Sequence, residues 1–202
     1  MGFPFLTIFI IFVLWLAFKR NKVKEIQQQK EDEFWAREQA ANCTLAKDIT
    51  NLNYLTIPMD KFPLNFSQDT EVLAIENELK ELSTHKLLNL GGISNTDLKL
   101  SYGVPNFETM CQIGEDYDRV SILLNRYAAA LMEANRIDDA ITVLEFAVGT
   151  KTDISDSYIR LVDCYIASNE DIKLGYLKTN IENSSLLTKN SILEHIKKEA
   201  YC

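Results

Sequence analysis

The chain has few of the residues on which most catalytic and metal sites depend. Histidine occurs only at His85 and His195, and the four cysteines are scattered with no C-x-x-C pair. Neither histidine has a further ligand at metal-binding spacing, so the sequence predicts no metal site and no cofactor. No Ser-His-Asp order, nucleophile elbow or phosphate loop can be assembled, and Gly91-Gly92 lacks the G-K-[ST] ending. A non-enzyme is favoured, although an enzyme is not excluded, because catalytic groups converge in space.

Positive charge is also scarce outside one short cluster. The formal net charge is −8, with 21 basic and 29 acidic side chains. Four of the basic residues lie between Lys19 and Lys24, which leaves 17 − 29 = −12 on the remainder. A body this acidic argues against a nucleic-acid partner, because neutralising phosphates requires a basic surface.

One long apolar run opens the chain. Sixteen residues from Phe3 to Phe18 carry no charge. As a helix they would cover about 24 Å, somewhat less than the roughly 30 Å of a bilayer core. Cations just beyond the run can snorkel and let the bilayer thin locally. The run therefore predicts a single transmembrane helix with a basic stop over residues 1–24.

The flanks of the run predict its orientation. The basic residues follow the run, and no basic segment or small-x-small site marks a cleaved signal peptide. By the positive-inside rule the prediction is a single-pass cell-membrane protein with its amino terminus outside and its body in the cytoplasm, where cysteines stay reduced. A signal peptide and a buried apolar helix are the alternatives. The residues expected to set topology and contact anionic lipid are Lys19, Arg20, Lys22 and Lys24.

Two segments of different character follow. Val23 to Ala41 has no Gly or Pro, which predicts a helical stalk over 25–47 with Phe34 and Trp35 docking on the body. A coiled coil is the alternative. Residues 48–64 contain two prolines and many apolar side chains, which predicts an extended segment packed on the body. Short helices are expected after Ser67 and from Ser94 to Tyr102.

From Asn106 onward the pattern is helix after helix, with a period close to 34. Val120, Leu124 and Leu131 share one face of a first helix, and a second helix ends at Gly149. A shift of 34 repeats the pattern less well. This region, 117–183, resembles the tetratricopeptide repeat, with one good unit and one degraded unit. The residues that carry the likeness are Ala128, Leu131, Ala140, Leu144 and Ala147 in the first unit, with Val162 and Tyr165 in the second.

The whole chain also resembles uncharacterised single-pass membrane proteins of Gram-positive bacteria. The shared features are the apolar start, the basic stop, a Phe34-Trp35-Ala-Arg37-Glu38 stretch and an Ile57-Pro58-Met-Asp60 stretch. This resemblance implies the same topology and no particular activity.

The tetratricopeptide resemblance implies a partner groove on the first helix of each unit. An apolar strip flanked by acids would suit a basic or amphipathic segment. Alternatively, residues 48–84 fill this groove as part of the core. Carried over position by position, the groove residues are Ile122, Asn125, Ala129 and Met132 in the first unit and Asp156, Ile159, Asp163 and Ile166 in the second.

Together these patterns predict an all-α protein in four parts: anchor 1–24, stalk 25–47, an extended segment with short helices 48–105, and a helical-repeat superhelix 106–202 ending in a capping helix. The predicted function is a membrane-tethered scaffold or adaptor that binds a protein or peptide. The alternative is an accessory or assembly subunit that contacts an integral membrane complex through its transmembrane helix. The oligomeric state is left open.

Overall fold

The computed structural model of the chain describes residues 4–200, with side chains for 7–199. Their regular structure is helical apart from one isolated antiparallel bridge between Leu55 and Leu87, so the predicted all-α class is confirmed for these residues. Two compact units divide the chain: 1–49 with 93–107, and 50–92 with 108–202. The helices are α1 (Pro4–Asn42), α2 (Thr70–Leu82), α3 (Asn95–Tyr102), α4 (Phe107–Glu133), α5 (Ile137–Gly149), α6 (Ser155–Ala167), α7 (Asp171–Glu182) and α8 (Lys189–Ala200), with a 3-10 turn at Val104–Asn106.

The predicted transmembrane helix is wrong for the described part of the chain. None of the helices there is long and apolar enough to cross a membrane. Helix α1 is one continuous helix, and its uncharged stretch from Pro4 to Phe18 covers about 22 Å, against the roughly 30 Å of a bilayer core. Phe3, where the predicted run begins, lies outside the described residues. The predicted single-pass location and cytoplasmic orientation are therefore not supported.

The later part of α1 joins the first unit by polar contacts. Phe34 and Trp35 were expected to dock on the body, but they are exposed and contact each other edge to face at 5.3 Å. Ala41 of this helix is fully buried. Arg37 pairs with Asp97 of α3, and further hydrogen bonds join Glu38 to Thr96 and Asn42 to Lys99.

A close backbone approach organises the rest of the first unit. Gly103 ends α3 at φ +87°, and a Cβ there would lie 2.1 Å from the carbonyl oxygen of Leu45. Around this contact the Lys47 amide donates to Tyr102 at 3.1 Å and the Val104 amide donates to Thr44 at 3.1 Å. Only glycine allows the two segments to meet this closely.

In the second unit, α2 contacts an irregular, proline-containing segment over residues 50–66, whose backbone turns at 59–61 and 64–65. Asp69 caps α2 by accepting from the Glu71 amide at 2.7 Å. This segment buries Ile57 and Phe62, and Phe62 contacts Phe146 of α5 edge to face. The segment predicted over residues 48–64 packs on the core as expected, but its backbone turns where an extended chain was predicted.

The helices α4 to α8 form the rest of the second unit, and one turn occurs in it twice. Asn135 follows α4 and Asn169 follows α6, both at positive φ, and 169 − 135 = 34. In the first turn the Arg136 amide donates to Leu131, and in the second the Glu170 amide donates to Tyr165. These bonds end each helix in the same way. The period of 34 therefore appears in the backbone, while the tetratricopeptide likeness and the four predicted domain boundaries stay predictions.

Candidate functional site

A cleft of about 890 Å³ opens on the second unit between α5, α6 and α7. This volume is within the range of ligand pockets, roughly 300 to 1,000 Å³. Helix α6 contributes three buried residues, Tyr158, Leu161 and Tyr165, at helical spacing. The remaining lining comes from α5, α7 and the segment before α8: Glu145, Val148, Gly149, Lys151, Lys173, Tyr176, Leu177, Asn180, Ile181, Asn183, Ser184, Ser185 and Leu186.

A polar contact joins the three helices beside the cleft. The Tyr165 hydroxyl of α6 donates to Glu145 Oε1 of α5 at 2.9 Å. Lys173 Nζ of α7 lies 3.2 Å from the same oxygen and 3.7 Å from Glu170. The hydrogen bond with Glu145 raises the pKa of Lys173, so this ammonium stays charged. Glu145 therefore connects α5 to both neighbouring helices.

A second hydroxyl is fixed deeper in the lining. Tyr158 donates to the backbone oxygen of Thr152 at 2.9 Å, and both residues are buried. Burial, together with the negative charges that Tyr117 and Asp153 would carry, raises the pKa of Tyr158 to about 12. Burial and the hydrogen bond to Glu145 likewise raise the pKa of Tyr165. Both phenols are protonated near neutral pH and hold the cleft in shape.

These groups are poorly suited to covalent chemistry. A nucleophile or general base needs a pKa near the working pH, and both phenols are shifted away from it. Cys164 of α6 is buried, and burial raises its pKa to about 11, which keeps the thiol protonated. Neither histidine lines the cleft. The lining offers apolar surface with fixed polar groups, which is an arrangement for binding.

The first half of the predicted groove lies on α4. Ile122 is 46% exposed, whereas Asn125, Ala129 and Met132 are half-buried. Met132 packs against the hydrophobic core. Of these four side chains, Ile122 presents the most surface to solvent.

The second half lies on α6 and is largely occupied. Ile159 and Ile166 are half-buried against the core, and exposed Asp156 pairs with Arg160 at 3.5 Å. Asp163 lies 2.6 Å from His195 Nε2 of α8. The halves meet where Ser157 Oγ donates to Asn125 Oδ1 at 3.4 Å. The groove as a partner surface stays a prediction.

The other singled-out residues lie apart from the cleft. His85 Nδ1 is 2.9 Å from Asp116, so each histidine has one carboxylate neighbour. Lys19, Arg20, Lys22 and Lys24 are exposed on α1. Among residues with described side chains, no cluster of three or more His, Cys, Asp or Glu could hold a metal ion. Cys43, Cys111 and Cys164 are free thiols, and Cys202 lies outside the described residues.

Sequence reasoning missed most of the cleft. It placed Val162 and Tyr165 in the second repeat unit as packing residues, and both are buried. It did not single out Tyr176 or Asn180, because α7 has only a weak apolar stripe. The sequence carried one signal, the large apolar residues Ile172 and Tyr176 four positions apart on one helix, and the structure shows them 76% and 70% exposed. Large apolar groups on an exposed helix face indicate a contact surface.

No protein-family model, curated protein or solved structure matches the chain, so its activity has to be inferred from the residues of the cleft.

Proposed function

We propose that the chain is a protein-binding scaffold or adaptor that holds a segment of a protein partner in the cleft between α5, α6 and α7. The observation that carries the proposal is the cleft itself, an open space of about 890 Å³ lined by buried tyrosine and leucine of one helix. Tyrosine supplies apolar area together with a hydrogen-bonding hydroxyl, which is typical of protein-binding surfaces.

The chemistry of the lining fits a peptide segment. An apolar side chain of the partner would lie on Leu161 and Leu177, and its backbone would meet the amides of Asn180 and Asn183. Tetratricopeptide repeats, which the region resembles, bind protein segments, but the groove carried over from them lies on the face of Asp156 and Ile159 and not on that of Tyr158 and Leu161. The cleft is therefore proposed from its own lining. A nucleic acid is disfavoured by the acidic balance of the chain.

A peptide library selected against the full chain tests the proposal. Selected peptides are resynthesised, and their affinity is measured by fluorescence polarisation. Asn180→Trp places an indole in the cleft and should weaken binding by about tenfold or more, since it removes contacts worth over 1.4 kcal/mol. Thr179→Trp adds the same side chain at the exposed neighbouring position, which does not line the cleft, and should leave the affinity within about twofold.

The same peptides test the second candidate surface, the strip on α4 and α6 that contains Ile122, which is the most exposed of its α4 residues. If the peptides bound Asn180→Trp normally but no longer bound Ile122→Glu, the strip and not the cleft would be the binding site. A library that yields no binder to the full chain contradicts both sites.

A further inference from the structure

The rim of the cleft carries apolar side chains with little contact to their own chain. Leu187 is fully exposed at 101% of its reference area, directly after the cleft residue Leu186. Ile172 and Tyr176 of α7 are also mostly exposed, and Tyr176 itself lines the cleft. One face therefore holds both a cavity and protruding apolar groups.

A face that carries both a cavity and a protruding apolar side chain can be complementary to the same face of a second copy. In a twofold dimer each contact between a residue of one copy and a residue of the other occurs twice. If Leu187 of one copy entered the cleft of its partner, the reverse contact would form in the same dimer. Each cleft would then hold an apolar side chain of the other copy, and the exposed leucines would be removed from water.

The charge at the cleft is compatible with a second copy of the chain as its occupant. The chain outside residues 19–24 has a formal charge of 17 − 29 = −12, so two copies repel each other over most of their surfaces. At the cleft the charges balance: Glu145 and the adjacent Glu170 oppose Lys151 and Lys173. Two acidic molecules can approach at this face without bringing together an excess of like charge.

We infer that the cleft face, consisting of the cleft and its rim residues Ile172, Tyr176 and Leu187, is a self-association surface where Leu187 of one copy enters the cleft of another. This inference rests on the proposed protein-binding function and names a second copy of the chain as a partner.

The first test is the mass of the full-length chain by sedimentation at increasing concentration. The wild type should shift from monomer to dimer, and Leu187→Asp should weaken the association by about tenfold or more, because it places a charge in an apolar cavity. Leu45→Asp is the matched control, since Leu45 is 83% exposed in the first unit. It should associate as the wild type does. Equal association of all three proteins would overturn the inference.

The second test is specific to the contact and does not depend on association through other surfaces. In a background with Cys43→Ser, Cys111→Ser and Cys202→Ser, one preparation carries Leu187→Cys and another carries Asn180→Cys. A short bismaleimide should cross-link the mixture into a covalent dimer far more than either preparation alone. Cross-linking of the mixture no greater than that of the separate preparations overturns the inference. Peptide binding that remains sensitive to Asn180→Trp would then leave the proposed function standing, whereas its loss would remove both.

Discussion

The hydroxyl oxygen of Tyr127 lies 3.0 Å from Oε1 of Glu76 inside the second unit. It also lies 2.9 Å from the carbonyl oxygen of Pro63, so one phenolic proton faces two acceptors. Both oxygens of Glu76, which is 1% exposed, accept from the Asn65 amide at 2.9 Å. These hydrogen bonds connect α2 and α4 to the irregular segment over residues 50–66.

The first prediction concerns this shared proton. Glu76→Gln should change the free energy of unfolding by less than about 1 kcal/mol. The amide nitrogen can donate to Tyr127, which frees the phenolic proton for Pro63, and the amide oxygen still accepts from Asn65, whose amide then has one acceptor in place of two. Glu76→Ala should cost about 2 to 3 kcal/mol, because buried polar groups lose their partner. Urea unfolding followed by circular dichroism measures both. Equal losses in the two variants would contradict this role of the Glu76 side chain.

The second prediction concerns alkaline pH. Burial raises the pKa of Tyr158 to about 12, whereas an unfolded tyrosine titrates near 10. Below about pH 10 both states keep the proton, so this contribution to stability is fully present. Between about pH 10 and 12 the unfolded state loses its proton first, and stability falls. Burial also raises the pKa of Cys164 to about 11, whereas an unfolded thiol titrates near 8.5. The loss of stability should therefore begin near pH 9, where the thiol of the unfolded state starts to lose its proton.

Tyr158→Phe separates the tyrosine contribution. The variant should lose about 1 kcal/mol at neutral pH, because the Thr152 carbonyl loses its donor. It should also show a shallower decline of stability above about pH 10. Urea unfolding over this pH range measures both effects. Tyr176→Phe, which removes an exposed hydroxyl on α7, is the matched control. An unchanged alkaline slope in Tyr158→Phe would be the contrary result.

The third prediction concerns the pairing of helices in the repeat region. Ala140 on α5 is fully buried, so Ala140→Leu should force neighbouring helices apart and lower stability by about 1 to 3 kcal/mol. Ala167→Leu makes the same change at an exposed position at the end of α6 and should stay within about 0.5 kcal/mol of the wild type. Chemical unfolding of both variants checks this. An unchanged free energy of unfolding in Ala140→Leu would mean that the helices do not meet at this position.

The fourth prediction concerns two glycines. Gly103→Ala should destabilise the first unit by about 2 kcal/mol, because its Cβ would overlap the Leu45 backbone at a positive φ. Gly175→Ala lies in α7 with no atom within 4 Å of the added Cβ, and should raise stability by about 0.5 to 1 kcal/mol. Hydrogen exchange at the Lys47 and Val104 amides should accelerate in the first variant only. Protection that is unchanged in Gly103→Ala would show that the close approach is not required.

Much of the helical structure was predictable because helix ends depend on local chemistry. Ser94 caps α3, Gly103 follows its end, and α5 ends at Gly149, as their residue types indicate. The cleft was not predictable in this way. Tyr158 and Lys173 line it from different helices. Whether they share a cleft depends on how α6 and α7 pack, which a local sequence pattern does not indicate. The predicted transmembrane helix was wrong for the described residues because it required snorkelling cations and a thinned bilayer to make up for an apolar run shorter than the bilayer core.

Both tryptophans of the chain, Trp15 and Trp35, lie on α1 in the first unit. The second unit instead contains the buried rings of Tyr117, Tyr127, Tyr158 and Tyr165. Tryptophan emission therefore follows events near α1, while the near-ultraviolet signal of immobilised tyrosines follows the helical body. A single thermal scan recorded with both signals would show whether the two parts of this molecule melt together or one after the other.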